Sequence, residues 1–126
     1  MIVADTDVLI DFLAGRDPAA SRVSFELESR HFGTTAVTRF ELLSGARDRT
    51  AEGLVRRLLD ALTTLPLDRA SADRAAEIRR RLEAKGEGIG MADSLIAGIV
   101  LAHDGLLLTR NRRHFERVEG LKLASL

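Results

Sequence analysis

Three carboxylates in the sequence lie beside predicted boundaries between strands and helices. Asp5 follows the apolar run Ile2–Ala4, Glu41 follows a second β-prone segment, and Asp93 precedes a long apolar stretch. Ligands of open α/β sheets bind where strands end and helices begin, so these side chains are expected to converge there. Converging carboxylates repel one another, and an oxygen-only ligand set favours Mg²⁺ or Mn²⁺. Such a site suits hydrolysis of a phosphodiester by metal-activated water.

Each of the three acids also has a purely structural explanation. Asp5 and Thr6 are ordinary residues at the start of a helix, and an acid in a first helical turn is favoured by the helix dipole. Asp93 is harder to explain in this way, because the predicted helix that follows it is apolar nearly all round. A carboxylate beside the core needs a partner or a metal, so Asp93 carries the metal hypothesis further than the other two.

Arginine supplies almost all of the positive charge, and part of it is clustered close to the predicted site. Arg110, Arg112 and Arg113 follow the fourth predicted strand. Guanidinium groups match phosphates bidentately, which lysine cannot do, so these three side chains are candidates for binding a nucleic-acid backbone. A second cluster, residues 79–81, falls on the outer face of a predicted helix, where a solvated surface is the simpler interpretation.

Composition limits the possible classes of protein. The 126 residues fit a single domain, 1–126, with a core of its own. The sequence has no cysteine, which excludes disulfides, zinc thiolates and thiol catalysis, and its net charge of zero provides no global attraction to nucleic acid. No apolar run approaches the roughly 20 residues of a membrane span, and the acids after the first strand do not fit a signal peptide. We therefore expect a cytoplasmic protein without membrane contact.

Apolar periodicity predicts strands that alternate with helices. The predicted strands are residues 2–4, 31–37, 64–67, 106–108 and 121–123. Thr38 is predicted to cap the helix of Glu41 through a capping box, and Asp7 and Asp11 are expected on the solvent side of the first helix. Alternation of this kind predicts an α/β fold, with a central parallel sheet of about four to five strands and helices on both faces.

Taken together, four fragments resemble the PIN-domain ribonucleases, and within them the VapC toxins of bacterial toxin–antitoxin pairs. They are IVADTDVLIDFL, TAVTRFELLSG around Glu41, GIGMADSLIAG around Asp93, and LLLTRNRRHFERVEGLKL. The resemblance implies a metal-dependent endoribonuclease whose acidic cluster is Asp5, Glu41 and Asp93, with Mg²⁺ or Mn²⁺ as cofactor. It places Thr6 and Thr109 at hydroxyl positions near that cluster. It also implies an RNA substrate, a cognate antitoxin protein as partner, and a homodimer.

One position departs from the family pattern. Many relatives carry a fourth acid in the last motif, where this sequence has His114. His114 could bind the metal directly, or it could lie at the rim of the site in contact with a phosphate or the antitoxin. We expect the rim position, because three carboxylates already supply enough charge for one hard cation. Asn111 could hold a water molecule or the neighbouring carboxylate.

Two other functions are compatible with parts of the sequence. The run DTDV after a strand also resembles the nucleophile motif of haloacid-dehalogenase phosphatases. That class needs a lysine and a later acidic pair, whereas this sequence has only Lys85 and Lys122 and continues Thr-Arg-Asn after its fourth strand. A catalytically degenerate PIN domain that binds RNA or an antitoxin is the other alternative. Retention of Asp5, Glu41 and Asp93 argues against it, and a degenerate site should fail to bind Mn²⁺.

Overall fold

Strands and helices alternate along the whole chain in the structure, a computed structural model that describes all 126 residues. In chain order the elements are β1 (Ile2–Ala4), α1 (Thr6–Leu13), α2 (Ala19–Ser29), β2 (Phe32–Thr35), α3 (Ala36–Gly45), α4 (Arg49–Asp60), β3 (Thr63–Leu65), α5 (Arg69–Ala84), α6 (Met91–Ala102), β4 (Leu106–Leu108), α7 (Arg112–Phe115) and β5 (Lys122–Leu123). Each of the five predicted strands overlaps an observed one. None of the helices has the length and apolar character that crossing a lipid bilayer requires.

The five strands form one parallel sheet in the order β3-β2-β1-β4-β5. β1 pairs with β2 on one side and with β4 on the other, so that Val3 lies opposite both Gly33 and Leu107. The chain first adds β2 and β3 on one side of β1, and it then adds β4 and β5 on the other side, so the strand order reverses at β1. Such a reversal opens a crevice at the carboxyl ends of the two strands, which is where open α/β sheets bind ligands. The predicted parallel α/β fold is confirmed.

Two apolar cores lie on opposite faces of the sheet. Successive residues of a strand point to opposite faces, and accordingly Val3 and Leu107 belong to one core while Ala4 and Leu108 belong to the other. Helices α5, α6 and α7 cover the first core, and α1 to α4 cover the second. Both faces are therefore sealed, and the chemistry of the molecule is confined to the ends of the strands.

Helix caps determine where the first and third helices begin. Asp5 has an extended backbone, and its carboxylate accepts a hydrogen bond from the Thr6 N–H, so α1 starts directly after it. The Thr35 hydroxyl accepts a hydrogen bond from the Thr38 N–H at 3.1 Å, so α3 starts directly after Thr35. The predicted capping box of Thr38 with Glu41 was wrong, because Thr38 lies inside α3 and is fully buried.

Helix α6 packs unusually close to α5 because Gly98 has no side chain. A Cβ atom built on Gly98 would lie 2.6 Å from the Ser71 carbonyl oxygen and 2.7 Å from the Ala75 Cβ. Real Cβ atoms do not approach other heavy atoms this closely, so any larger residue would force the two helices apart. Since Asp93 lies in the first turn of α6, this contact also fixes the position of that acid.

Candidate active site

Asp5 is the buried carboxylate at the end of β1. It is only 5% exposed. Its Oδ1 accepts a hydrogen bond from the Thr6 N–H at 2.8 Å, and its Oδ2 accepts one from the Thr109 hydroxyl at 2.7 Å. Thr109 directly follows β4, so this second hydrogen bond joins the carboxyl ends of β1 and β4, the two strands between which the strand order reverses. Both predicted hydroxyl-bearing residues, Thr6 and Thr109, therefore lie beside Asp5.

Negative charge accumulates around Asp5. Burial, then the charge of Asp7 and, to a smaller extent, the charge of Asp93 raise the pKa of Asp5 to about 7. The hydrogen bonds from Thr109 and Thr6 lower the pKa, but they do not offset burial and like charge. A divalent cation would favour the charged form of such a carboxylate.

Two further acids belong to this end of the sheet, contrary to the expectation that Asp7 and Asp11 face solvent. Asp11 is 6% exposed and forms ion pairs with Arg110 at 2.8 Å and with Arg16 at 3.7 Å. Asp7 is half-buried, and its Oδ1 accepts a hydrogen bond from the Arg110 N–H at 3.3 Å. Burial raises the pKa of Asp7, although its hydrogen bond and charge interaction with Arg110 oppose the change. The expectation was wrong because the segment after β4 covers this side of α1.

Asp93 contacts the segment that follows β4. Its Oδ2 lies 3.2 Å from Asn111 Nδ2 and 3.3 Å from His114 Nδ1. Asn111 and His114 also contact each other, at 2.9 Å. Partners of this kind orient metal-binding carboxylates in other proteins. The side chain of His114 is 40% exposed and one of its ring nitrogens contacts Asp93, so its role at the rim stays a prediction.

Glu41 is held at the site by hydroxyl groups. The Thr6 hydroxyl donates a hydrogen bond to Glu41 Oε1 at 2.6 Å and lies 3.0 Å from Thr38 Oγ1. Thr38 in turn lies 3.3 Å from the Thr35 hydroxyl. Thr35 and Thr38 were not predicted as site residues. The signal that could have identified them is the concentration of threonine at the end of the second strand, beside the candidate Glu41.

The predicted acids lie at one end of the sheet without forming a closed metal cage. No three His, Cys, Asp or Glu side chains converge closely enough to hold a metal ion. Asp5 and Asp93 are near enough for their charges to interact, whereas Glu41 accepts a hydrogen bond from the Thr6 hydroxyl. This donor set fits Mg²⁺, which proteins bind through one or two carboxylates together with waters and substrate phosphates. The ligand roles of the three acids remain predictions.

The arginines predicted to bind nucleic acid differ in how they are held. All three are exposed. Arg110 is paired with Asp11, and Arg112 Nη1 donates a hydrogen bond to the Ala124 carbonyl at 2.9 Å. Arg113 forms no hydrogen bond or ion pair within the protein. Arg112 is therefore partly engaged in fastening the chain after β5, which leaves Arg110 and Arg113 as the better placed candidates.

Two apolar surfaces border the acidic crevice, and Glu41 lines both. The first, which we call the α1–α4 groove, has a volume of about 400 Å³ and is lined by Ile10, Leu13, Ala14, Leu42, Ala46 and Leu54 among others. The second, which we call the α3–α6 patch, has a volume of about 290 Å³ and is lined by Val37, Phe40, Leu67, Met91 and Leu95 among others. Large apolar side chains exposed in this way mark surfaces that other molecules cover.

Comparison with known proteins identifies the family. A model of the PIN domain matches residues 2–121. The tRNA(fMet)-specific endonuclease VapC of Shigella flexneri is 32% identical over 126 residues, covering 94% of this chain and 92% of that protein. Ribonuclease VapC10 of Mycobacterium tuberculosis is 35% identical over 123 residues, covering 97% of this chain and 91% of that protein. The chain belongs to the PIN-domain family. Within that family, these relatives place it beside the VapC ribonucleases.

The fold agrees with this assignment. The DNA-bound VapBC of Salmonella typhimurium superposes with a TM-score of 0.84 at 26% sequence identity, covering 98% of this chain and 96% of that one. The agreement extends over nearly the whole of both chains, so the sheet order and the crevice described above are those of a VapC-type PIN domain.

Proposed function

We propose that this protein is a VapC-type endoribonuclease, the toxin of a toxin–antitoxin pair, which hydrolyses RNA phosphodiester bonds with Mg²⁺ or Mn²⁺. The observation that carries the proposal is the buried carboxylate of Asp5. It lies at the end of β1, where the strand order reverses, and beside the charges of Asp7 and Asp93. A cation is the natural partner for acids gathered in this way. The names of the Shigella and Mycobacterium relatives support the same chemistry.

Asp5 and Asp93 would hold the metal ion, with Glu41 as the third carboxylate of the set. When bound, such an ion polarises a phosphate oxygen and lowers the pKa of a water molecule. Thr109 and the backbone of Thr6 hold the carboxylate of Asp5 in place. The orientation of each oxygen is therefore determined before a substrate arrives.

Glu41 is the acid best suited to accept the proton of the attacking water. Its Oε1 is held by the Thr6 hydroxyl at 2.6 Å, while its Oε2 has no hydrogen bond to the protein. No cation of the protein forms an ion pair with Glu41. Asp5, by contrast, has both oxygens engaged in hydrogen bonds.

The proposed partners are an antitoxin and a second copy of the chain, both in the cytoplasm. The α1–α4 groove suits the apolar face of a helix, and a basic residue of that helix would meet Glu41 at the border of the crevice. The α3–α6 patch is separate from the groove and is proposed as the homodimer contact. Both proposals are supported by the exposure of large apolar side chains, including Leu54 at 50% and Phe40 at 70%.

Cleavage of RNA by the purified protein tests the proposed function. We expect it to cleave bulk tRNA or total RNA in Mg²⁺ or Mn²⁺, EDTA to abolish cleavage, and Asp93→Asn to lower the rate by orders of magnitude. Asp73→Asn makes the same change of charge on the exposed face of α5 and should cleave like the wild type. Wild-type rates in both Asp5→Asn and Asp93→Asn would refute the assignment.

The lack of a closed three-carboxylate cluster favours one alternative, a degenerate PIN domain that binds RNA or antitoxin without cleaving. Calorimetric titration with Mn²⁺ distinguishes the two functions. A nuclease should bind the ion in a manner that Asp5→Asn abolishes, whereas a degenerate domain should not bind it at all.

A further inference from the structure

Among the arginines that follow β4, only Arg110 is held by a buried acid. Arg110 Nε lies 2.8 Å from Asp11 Oδ2, and the Asp11 side chain is 8% exposed while that of Arg110 is 53% exposed. The Arg110 N–H also donates a hydrogen bond to Asp7 Oδ1 at 3.3 Å. The residue is thus fixed both at its backbone and at its guanidinium group.

The outer part of this guanidinium is free. A guanidinium has five N–H donors, of which one is on Nε and four are on Nη1 and Nη2. Asp11 faces Nε, and neither Nη atom of Arg110 donates a hydrogen bond within the protein. Two Nη groups presented side by side can bind a phosphate. Arg112 differs, because its Nη1 is already engaged by the Ala124 carbonyl.

The location of Arg110 connects this free group to the proposed active site. Arg110 directly follows Thr109, whose hydroxyl donates to Asp5. The acid that accepts its backbone N–H, Asp7, is also the acid whose charge acts most strongly on Asp5. A phosphate bound by Arg110 would therefore lie at the edge of the acidic crevice.

Stability alone does not account for a buried acid at position 11. Burying a carboxylate carries a desolvation penalty that an ion pair with exposed arginines offsets only in part, and an apolar residue is often as stable in such a place. The second arginine near Asp11, Arg16, is 3.7 Å away with a side chain 69% exposed. Arg110 is the closer and less exposed partner.

We propose that Asp11 is a positioning residue that holds the Arg110 guanidinium at the mouth of the crevice, where its free Nη groups bind a phosphate of the RNA backbone beside the cleaved bond. This inference rests on the proposed function, since it adds a specific contact to the substrate of that reaction. It also makes a prediction with a definite sign. Removal of a negative charge near bound RNA would by itself strengthen binding, whereas loss of the positioning carboxylate weakens it.

Binding of bulk tRNA, measured by filter retention over a range of KCl concentrations in EDTA, tests the inference. Asp11→Asn and Arg110→Ala should each weaken binding by about three- to tenfold and reduce the slope of log affinity against log salt by about one phosphate contact. The double variant should bind no more weakly than Arg110→Ala. Asp11→Glu, which keeps the charge, should recover part of the affinity, and Asp73→Asn should bind like the wild type.

Four further measurements separate positioning from a structural role. Thermal melting of each variant identifies any that fails to fold. If Asp11→Asn does not fold, Asp11→Glu takes its place; it should still bind RNA more weakly than the wild type, and wild-type binding would then overturn the inference. Titration with Mn²⁺ should give wild-type affinity for Asp11→Asn, and cleavage should show a raised KM with kcat nearly unchanged. Arg16→Ala should leave the salt slope unaltered, because that arginine is not the one being positioned.

Tighter or unchanged RNA binding by folded Asp11→Asn would overturn the inference, and so would additive losses in the double variant. Failure of the proposed function is a separate result, because binding in EDTA does not require cleavage. If the wild type binds tRNA and loses affinity in these variants but never cleaves, the positioning role stands and the nuclease assignment fails.

Discussion

The buried carboxylate of Asp5 makes the stability of the metal-free protein depend on pH. Its pKa rises from an ordinary 3.8 to about 7 on folding, so the folded state holds the proton more strongly. The contribution of protonated Asp5 to the free energy of unfolding is fully present below about pH 4 and is lost as the pH rises through 7. The shift of about three units corresponds to an upper limit of roughly 4 kcal/mol. Urea unfolding at pH 5 and pH 8 in EDTA should show the wild type losing stability that Asp5→Asn retains.

The exposed variant Asp73→Asn is the control, since it should reproduce the wild-type dependence on pH. Addition of Mn²⁺ at pH 8 should restore stability to the wild type and not to Asp5→Asn. An identical pH profile in wild type and Asp5→Asn would contradict this description of Asp5.

One ring nitrogen of His114 lies 3.3 Å from Asp93 Oδ2. Loss of a group that orients a metal ligand typically costs about 10- to 100-fold in metal affinity or activity. We therefore expect His114→Ala to lower the cleavage rate by about 10-fold, well short of the loss in Asp93→Asn. Asn111→Ala, which removes the other partner of Asp93, is the matched comparison. A loss of Mn²⁺ binding in His114→Ala as large as that in Asp93→Asn would identify His114 as a direct ligand.

At the scale of the elements, the sequence predicted those features that depend on neighbours along the chain. The strand before Asp5 and the central apolar helix after Met91 were predicted from runs of a few residues, and the structure contains both. The cap of α3 was displaced from Thr38 to Thr35 because both threonines are plausible caps, and only the end of the strand decides between them. Local pattern could not place Asp11, whose burial depends on a segment far along the chain.

The α1–α4 groove gives a prediction about the antitoxin. Leu54 on α4 is 50% exposed and lines this groove, so Leu54→Arg should disrupt an apolar helix bound there. Growth of cells that express the toxin variant with its antitoxin should fall, because inhibition is lost while the site remains intact. Phe25→Arg on α2 is the control, since Phe25 is 69% exposed and lines neither surface. Full rescue of Leu54→Arg by the antitoxin would show that the partner docks elsewhere.

The whole molecule exposes a second apolar surface, the α3–α6 patch. Phe40 and Met91, from two different helices, are 70% and 63% exposed there. If this patch is the homodimer contact, Phe40→Glu should convert a dimer into a monomer in light scattering without loss of thermal stability. Phe25→Glu should leave the mass unchanged. A wild-type protein that is monomeric at high concentration would refute this use of the patch.

The order of the strands could not be predicted from apolar periodicity, although their number and parallel direction could. Periodicity shows which segments are buried, but the order depends on which edge of β1 each later strand joins. The pairing of β1 with β4 is what brings Thr109 to Asp5, and Asn111 to Asp93. The candidate acids and several residues beside them, including Thr109 and Asn111, were therefore named from the sequence, while their individual hydrogen bonds became visible only in the structure.

The placement of β4 beside β1, after β2 and β3 have been added on the other side, also has a consequence for synthesis of the protein. The hydrogen bond between Thr109 and Asp5 joins residues 104 positions apart, and β4 must enter beside β1 before it can form. Strands β1, β2 and β3 therefore emerge from the ribosome long before the crevice can form. Domains generally fold as units during translation. A nascent chain of this kind should be unable to cut the RNA around it until β4 has emerged from the exit tunnel. Ribosome-bound chains stalled after β4 has emerged should cleave RNA, whereas chains stalled before β4 should not. During the interval between these two stages an antitoxin can bind before any RNA is cleaved.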